Sequence, residues 1–286
     1  MITVLAAPPF ATIQDLGRLG FRDSGVPVSG LADRESGLAL NAALGNDPNA
    51  AIIEWAVAGG TLRFDSAATI AMGGADAACS MSGRVMDPWT PTPVAAGDEL
   101  RVERMNRRRF LLIAVRGGID IPVVLGSRST LISAAIGGLD GRRLRNGDVL
   151  PVGNLIAGPV GVVPAPAQTA AGTVAIHVMR GPQWSLFDDA ARNAFTSAEL
   201  TVSRLSDRSG YRLEGIAMTH SGPASLPSEP TCVGAIQVPD GGEPIVIMHD
   251  GPTVGGYPKI AVIRSASLSR FAQLAPGDTV RFVLDD

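Results

Sequence analysis

Apolar residues along this chain fall mostly into short runs and two-residue alternations, and only rarely into helical stripes. Runs at 61–64, 69–72, 110–115, 173–179, 235–238, 245–248 and 260–263 are rich in Val, Ile, Leu and Phe. Each stops at Gly, Pro, His or a charged residue, the pattern of strands. A turn-and-strand phrase recurs at Gly97-Asp98, Gly147-Asp148 and Gly277-Asp278, where Gly accepts the positive φ of a tight turn and alternation follows. Three segments read as helices. Residues 33–44 carry Leu38, Leu40 and Leu44 and stop at Gly45-Asn46, which suits a left-handed cap. Residues 185–195 set Leu186, Phe187, Ala190, Ala191, Ala194 and Phe195 at helical spacing, with Asp188 and Asp189 in the first turn. Residues 265–274 end at Pro276-Gly277. The pattern predicts a mainly β protein with short helices.

With 286 residues the chain can bury one large core or two ordinary ones, and 45% hydrophobic residues exclude disorder. The abundance of turn residues, 34 Gly and 21 Pro, favours many short strands over long helices. The uncharged Pro/Gly-rich stretch 151–172 reads as a connection between two related β-rich domains, 1–160 and 161–286. Net charge is −3, and the one basic knot, Arg107-Arg108-Arg109, lies near Glu99 and Glu103. It is read as a solvated hairpin tip or a contact between subunits, and no nucleic-acid partner is expected. The first residues lack a basic region and break at Pro8-Pro9, and no apolar stretch reaches membrane-spanning length. Cys79 and Cys232 have no metal-ligand spacing and read as reduced thiols, so a cytoplasmic protein without a metal centre or membrane partner is expected.

The sequence contains no Walker loop, HExxH or GxSxG elbow. Gly73-Gly74 reads as a tight turn after a strand, and His177 as a strand residue at core or edge. His220 and Ser221 are adjacent and would point to opposite faces of an extended backbone. Two clusters carry candidate chemistry. In the first, Gln14, Asp15, Arg18 and Arg22 crowd a glycine-broken loop. An arginine fork there can bind carboxylate or phosphate bidentately, or stitch the loop to a sheet through Asp15. The second is the stretch 234–259, where an apolar run delivers His249-Asp250 to a rim and Gln237, Thr253, Tyr257 and Lys259 surround a glycine hairpin at Gly255-Gly256. Lys259 is the single lysine of the chain, a scarcity read as compositional. A third loop holds Asp207, Arg208 and Arg212 and could complete either cluster, so all three are expected to wall one shared site.

Eight ordered motifs extend this reading: Ile13 to Arg18, Gly25 to Gly30, Leu44 to Asn46 with Glu54, Gly117 to Asp120, Leu125 to Thr130, Asp207 to Leu213, Gly234 to Pro239 and Thr253 to Pro258. Together they resemble the allophanate hydrolase subunit 2 family, also known as KipA or as the C-type 5-oxoprolinase family, among biotin-dependent carboxyltransferase-type proteins. The resemblance implies two cyclophilin-like β-barrel domains, a companion subunit of the subunit 1 or B type, and a small amide or lactam substrate. One branch opens 5-oxoproline to glutamate with ATP and a third, lactam-utilisation subunit. Another passes a carboxyl group from carboxybiotin to urea, and a third regulates a kinase without catalysis. On the oxoprolinase reading ATP serves the complex, and on the transferase reading biotin does. Asp250, Tyr257 and Arg18 are expected to be catalytic. Gln14, Asp15, Arg208, Arg212, Gln237, Thr253, Gly255 and Gly256 are expected to bind substrate, the two glycines through their amides. Two departures from the family pattern are Ala32 in place of methionine and Gly251-Pro252 where the oxoprolinase branch often has Arg-Gln.

Overall fold

The computed structural model describes the chain except residues 58, 155–157, 163, 167–171, 224 and 286, so the middle of the expected connection at 151–172 lies outside the described residues. Two compact units emerge: Met1–Leu19 with Ser29–Gln168, and Gly20–Val28 with Thr169–Asp286. The early excursion of Gly20–Val28 into the second unit has no counterpart in the sequence reading.

The first unit holds β1 (Ile2–Ala6), β2 (Phe10–Gln14), β3 (Ile52–Ala56), β4 (Thr61–Phe64), β5 (Ala68–Met81), β6 (Arg84–Val85), β7 (Thr92–Val94), β8 (Glu99–Val115) and β9 (Val149–Leu150). Their order is β2-β3-β8-β4-β1-β9, with β5 paired to β6, β7 and β8. Among the described residues this sheet forms a half-barrel through its own ladders. The stretch from Arg128 to Leu150 bridges its ends instead: Thr130 N donates to Ile13 O and Leu144 N to Ala11 O on β2, while β9 pairs with β1.

Alternation explains why the central strands read as unbroken apolar runs. Ile53, Trp55, Ile70, Met72, Leu111, Ile113 and Val115 fill one core. Their neighbours Ile52, Ala71, Leu112 and Ala114 form a second cluster with Leu40 of the helix α1 (Arg34–Ala43) and with Leu44 at its C-terminal cap. Strands buried on both faces have no polar face to show. Asp33 caps α1 by accepting from Ser36 N at 3.0 Å, and Gly45, at φ 65°, ends it while Asn46 N returns to Asn41 O.

The second unit is a closed barrel, β10-β17-β14-β15-β12-β11-β18. Its strands are β10 (Val174–Arg180), β11 (Leu200–Val202), β12 (Gly210–Glu214), β14 (Ala235–Gln237), β15 (Ile245–Ile247), β17 (Lys259–Ile263) and β18 (Thr279–Leu284). A separate two-stranded ribbon pairs β13 (Glu229–Pro230) with β16 (Val254–Gly255). The helices α2 (Asp189–Ser197) and α3 (Ser265–Ala272) pack through an aromatic chain: Phe195 stacks on Phe282 at 4.8 Å, and Phe271 lies 6.4 Å from Phe282 and 5.3 Å from Tyr211. The expected start of α2 at Ser185 is displaced to Asp189. Trp184–Leu186 forms a 3₁₀ turn, Phe187 is extended, and Asp188 accepts from Ala191 N at 2.8 Å, making it the cap.

The recurrent turn is real geometry. Gly97, Gly147 and Gly277 have φ of 90°, 87° and 95°. In each case the following aspartate accepts the backbone N–H three residues earlier: Ala95 to Asp98, Arg145 to Asp148 and Ala275 to Asp278, at 2.8, 2.7 and 2.8 Å. Asp148 also takes both guanidinium N–H groups of Arg142, at 2.7 and 2.9 Å, and this pairing chiefly holds its carboxyl below the ordinary value. A folded-state value below the unfolded one adds stability above the unfolded carboxylate range, and that stability is lost as pH falls through the folded value. An Arg142→Met variant should therefore be less stable than the parent at neutral pH. It should then lose less further stability than the parent as urea melts are taken below about pH 4.

Two expectations are overturned within β5 and β8. Gly73-Gly74 is no turn: β5 runs on to Met81, with irregular register between Gly74 and Asp76. Glycine at 73 is required because a Cβ there would lie 2.6 Å from the Trp89 ring. The arginine knot is likewise inside β8 rather than at a tip, and Arg108, at φ 69°, donates to Gly74 O at 3.2 Å across the irregularity. Burial pushes the Cys79 thiol up to about 12, with Glu103 adding to the shift, whereas Cys232 is exposed. The native chain should accordingly react with one equivalent of a thiol reagent and the urea-unfolded chain with two.

Candidate functional site

The first cluster sits in the first unit and turns inward. Gln14, at the end of β2, is fully buried. Its Nε2 donates to Thr12 Oγ1 and Thr130 O at 3.0 and 3.1 Å, and its Oε1 accepts from Gly30 N at 3.1 Å. Asp15 accepts from Ser127 Oγ, Ser129 Oγ, Gly17 N and Arg128 N at 2.6, 2.5, 2.9 and 2.6 Å. The Arg18 guanidinium has no exposed surface and donates to Val124 O and Ser129 O at 3.1 and 2.8 Å. These side chains staple residues 14–18 to 124–130. Arg22 belongs to the second unit, where its Nη2 donates to Thr231 O at 2.6 Å.

The other two clusters do meet, inside the second unit. Arg208 grips Asp250 with Nε and Nη2 at 2.8 and 3.1 Å, both side chains nearly enclosed, and Asp250 N donates back to Arg208 O. This bidentate pair ties the 205–210 loop to the end of β15. Arg212, by contrast, is exposed on β12 opposite Ile245. Thr253 is buried and its carbonyl accepts from Thr231 N.

The glycine hairpin expected at Gly255-Gly256 is not formed. Gly255 pairs with Glu229 in the ribbon, and neither glycine has positive φ. What both positions require is close approach. A Cβ on Gly255 would lie 2.4 Å from Gln237 Nε2, and one on Gly256 would lie 2.8 Å from Leu226 O.

Three polar residues here were missed or discounted in the sequence. Lys259 is 4% exposed, and its Nζ donates to Glu229 Oε1 at 2.5 Å. Gln183 Nε2 donates to the same oxygen at 2.6 Å, and Gln183 Oε1 accepts from Lys259 N at 3.1 Å. Lys259 foremost holds the Glu229 carboxyl below its ordinary value. The signal for Lys259 was its uniqueness; Glu229 and Gln183 gave none. Gln237 lies beside Lys259 in the β14–β17 register. The result is a polar corner at one end of the barrel, under the β13–β16 ribbon, with Tyr257 42% exposed nearby in sequence. Two buried atoms in this region lack a hydrogen-bond partner among the described residues, Gln237 Nε2 and Thr231 Oγ1.

Residues 24–284 match the carboxyltransferase domain, subdomain A and B, family. The chain belongs to that family. As a carboxyltransferase-family chain it is 35% identical over 283 residues to the C subunit of the Escherichia coli K12 5-oxoprolinase, covering 99% of this chain and 91% of that one. It is 31% identical over 294 residues to the urea amidolyase of Saccharomyces cerevisiae, covering 95% of this chain but 16% of the yeast protein. The crystal structure of the Kluyveromyces lactis urea carboxylase superposes with a TM-score of 0.95 at 31% identity, over 100% of this chain and 27% of that one. The mainly β architecture is thus that of a carboxyltransferase domain. Within it, Gly251 has a physical reason: a Cβ there would lie 2.5 Å from Ser209 O, so the loop carrying Arg208 packs directly on this backbone.

Proposed function

We propose that this chain is one component of an ATP-dependent 5-oxoprolinase complex, working with a companion subunit of the B type and a lactam-utilisation subunit. The observation that carries the reading is the near full-length similarity to the C subunit of 5-oxoprolinase. In the overall reaction water adds across the ring C–N bond of 5-oxoproline. The oxygen goes to the carbonyl carbon and a proton to the departing nitrogen, while a second water takes ATP to ADP and phosphate. Arg18 donates to two carbonyls and Arg208 is held by Asp250, while Arg212 is exposed on β12, so the steps assigned to this chain use other groups.

The groups placed to meet a substrate are those of the polar corner. Glu229, whose side chain is 38% exposed, offers a carboxylate kept ionised from behind by Lys259 and Gln183, and so able to accept a hydrogen bond or a proton. Tyr257 has an exposed side chain for proton exchange, and the Arg208–Asp250 pair holds the neighbouring backbone in place. A second reading, transfer of a carboxyl group to an amide nitrogen, is favoured by the TM-score of 0.95 to urea carboxylase.

The test is glutamate release from 5-oxoproline and ATP by the reconstituted subunits, with and without this chain. Release should require the chain, and a Glu229→Gln chain should support it at least about 100-fold more slowly. Full release without the chain would reject the reading. Dependence on bicarbonate and a biotinylated partner, with urea as acceptor, would establish the second.

A further inference from the structure

Gln237 stands out among the polar side chains of the barrel end. It is 5% exposed, yet its Nε2 has no hydrogen-bond partner among the described residues, and a buried amide left so is costly. Nothing in the local packing explains its retention, since an apolar side chain of the same shape would remove the cost. The amide nitrogen lies against Gly255, where any side chain would collide with it. Gly255 and Gly256 are themselves half-exposed, so the covering over the amide is thin backbone next to solvent. Thr231, in the chain segment just after β13, contributes a second buried atom without a partner among the described residues, Oγ1. An unmet buried amide at the barrel end, at a close approach kept free of side chains, describes a place waiting for a polar ligand.

Carboxamide chemistry narrows what that ligand is. A primary amide presents N–H and C=O side by side, and its best partner is a group presenting C=O and N–H in the reverse order on one edge. A small lactam does so because the ring locks its amide cis. Urea does so as well, and so does the ureido ring of biotin. An open-chain secondary amide, which is trans, does not. We propose that Gln237 is the specificity-determining residue of this site and reads the cis-amide edge of its ligand through a reciprocal pair of hydrogen bonds. Gln237 Nε2 donates to the ligand carbonyl while Oε1 accepts from the ligand N–H. This rests on the reading of the chain as part of a complex acting on a small cyclic or ureido amide, and it adds why lactam and urea can share one fold: both show the same edge.

The test is direct binding to the isolated full-length chain, followed by ligand-observed NMR and by thermal shift. The probes are 5-oxoproline, 2-pyrrolidone, urea, biotin methyl ester, N-methyl-2-pyrrolidone and N-methylacetamide. At least one cis-amide probe should bind, and its identity separates lactam, urea and biotin as the natural source. N-methyl-2-pyrrolidone and N-methylacetamide should bind at least about tenfold more weakly, the loss expected when a buried polar group is left unpaired. Gln237→Leu should abolish this discrimination while melting no lower than the parent, because it removes an unpaired buried amide. Gly255→Ala should do the same by displacing the amide while leaving its backbone conformation allowed.

Equal binding of 2-pyrrolidone and its N-methyl derivative would overturn the proposal, as would unchanged selectivity in Gln237→Leu. So would failure of every cis-amide probe to bind both the isolated chain and the reconstituted complex. In that complex, Gln237→Leu should raise KM for 5-oxoproline more than it lowers kcat. An active complex with unchanged KM would sink the Gln237 assignment and leave the oxoprolinase reading intact. Selective binding of urea or biotin with no lactam turnover would do the reverse.

Discussion

An Arg208→Ala variant is expected to lose about 3–5 kcal/mol of stability in the second unit, because it strands the Asp250 carboxylate in a nearly enclosed position. Asp250→Ala should cost a similar amount, since it takes the carboxylate away from a guanidinium that is only 5% exposed. The double replacement Arg208→Met with Asp250→Leu should recover much of the loss, for an apolar pair of similar volume has no charge to desolvate. Hydrogen exchange reads this locally. Protection should fall at 245–250, beside the pair, and stay at parental level at 52–56 in the first unit. If both single variants keep parental protection and melting, the pair is not structural and Asp250 regains its claim to direct catalysis. Loss of turnover in Asp250→Ala must therefore be judged beside its stability.

The first unit has a counterpart in Asp15. One carboxylate there satisfies two serine hydroxyls and two backbone N–H groups, and together they pin 127–129 to the loop after β2. Asp15→Ala leaves all four donors without their acceptor. Each such donor costs about 1–3 kcal/mol when buried, and admission of a water offsets part of it, giving an expected loss of about 3–5 kcal/mol. Asp15→Asn keeps the oxygen that accepts three of the four bonds and should lose roughly half as much. Urea denaturation of the two variants should reproduce that order; equal stability of Asp15→Ala and the parent would show that the network contributes nothing.

The strands and helices were legible where their signal was local. The span of β4 and the cap of α1 follow from alternation and from an Asp–Gly frame. The three Gly-Asp turns follow because type, φ and the returning aspartate are all set within four residues. The site was legible only as a set of polar residues among glycines. Gln14, Asp15 and Arg18 were legible as a polar cluster, but not their partners Ser127, Ser129 and Val124, which lie more than 100 residues away. No local pattern tells an arginine that faces a ligand from one that donates to distant carbonyls. Conversely, Glu229 gave no sign in a loop rich in Pro and Ser, and only the ribbon pairing brings it to Lys259. Gly73-Gly74 failed as a turn because the ring of Trp89, well along the chain, is what excludes a side chain there.

The brief excursion of Gly20–Val28 has a consequence for how the protein can be made. The second unit is assembled from two pieces of chain whose contact, Arg22 to Thr231, spans 209 residues. During synthesis its first piece leaves the ribosome well before the other, so the barrel is completed only near the end of translation. A clone starting at residue 172 would express the barrel without that piece, and a clone of the first half alone would carry the segment without its barrel. Neither half of the gene encodes a whole unit, so a split into two genes would have to be followed by reassembly in trans.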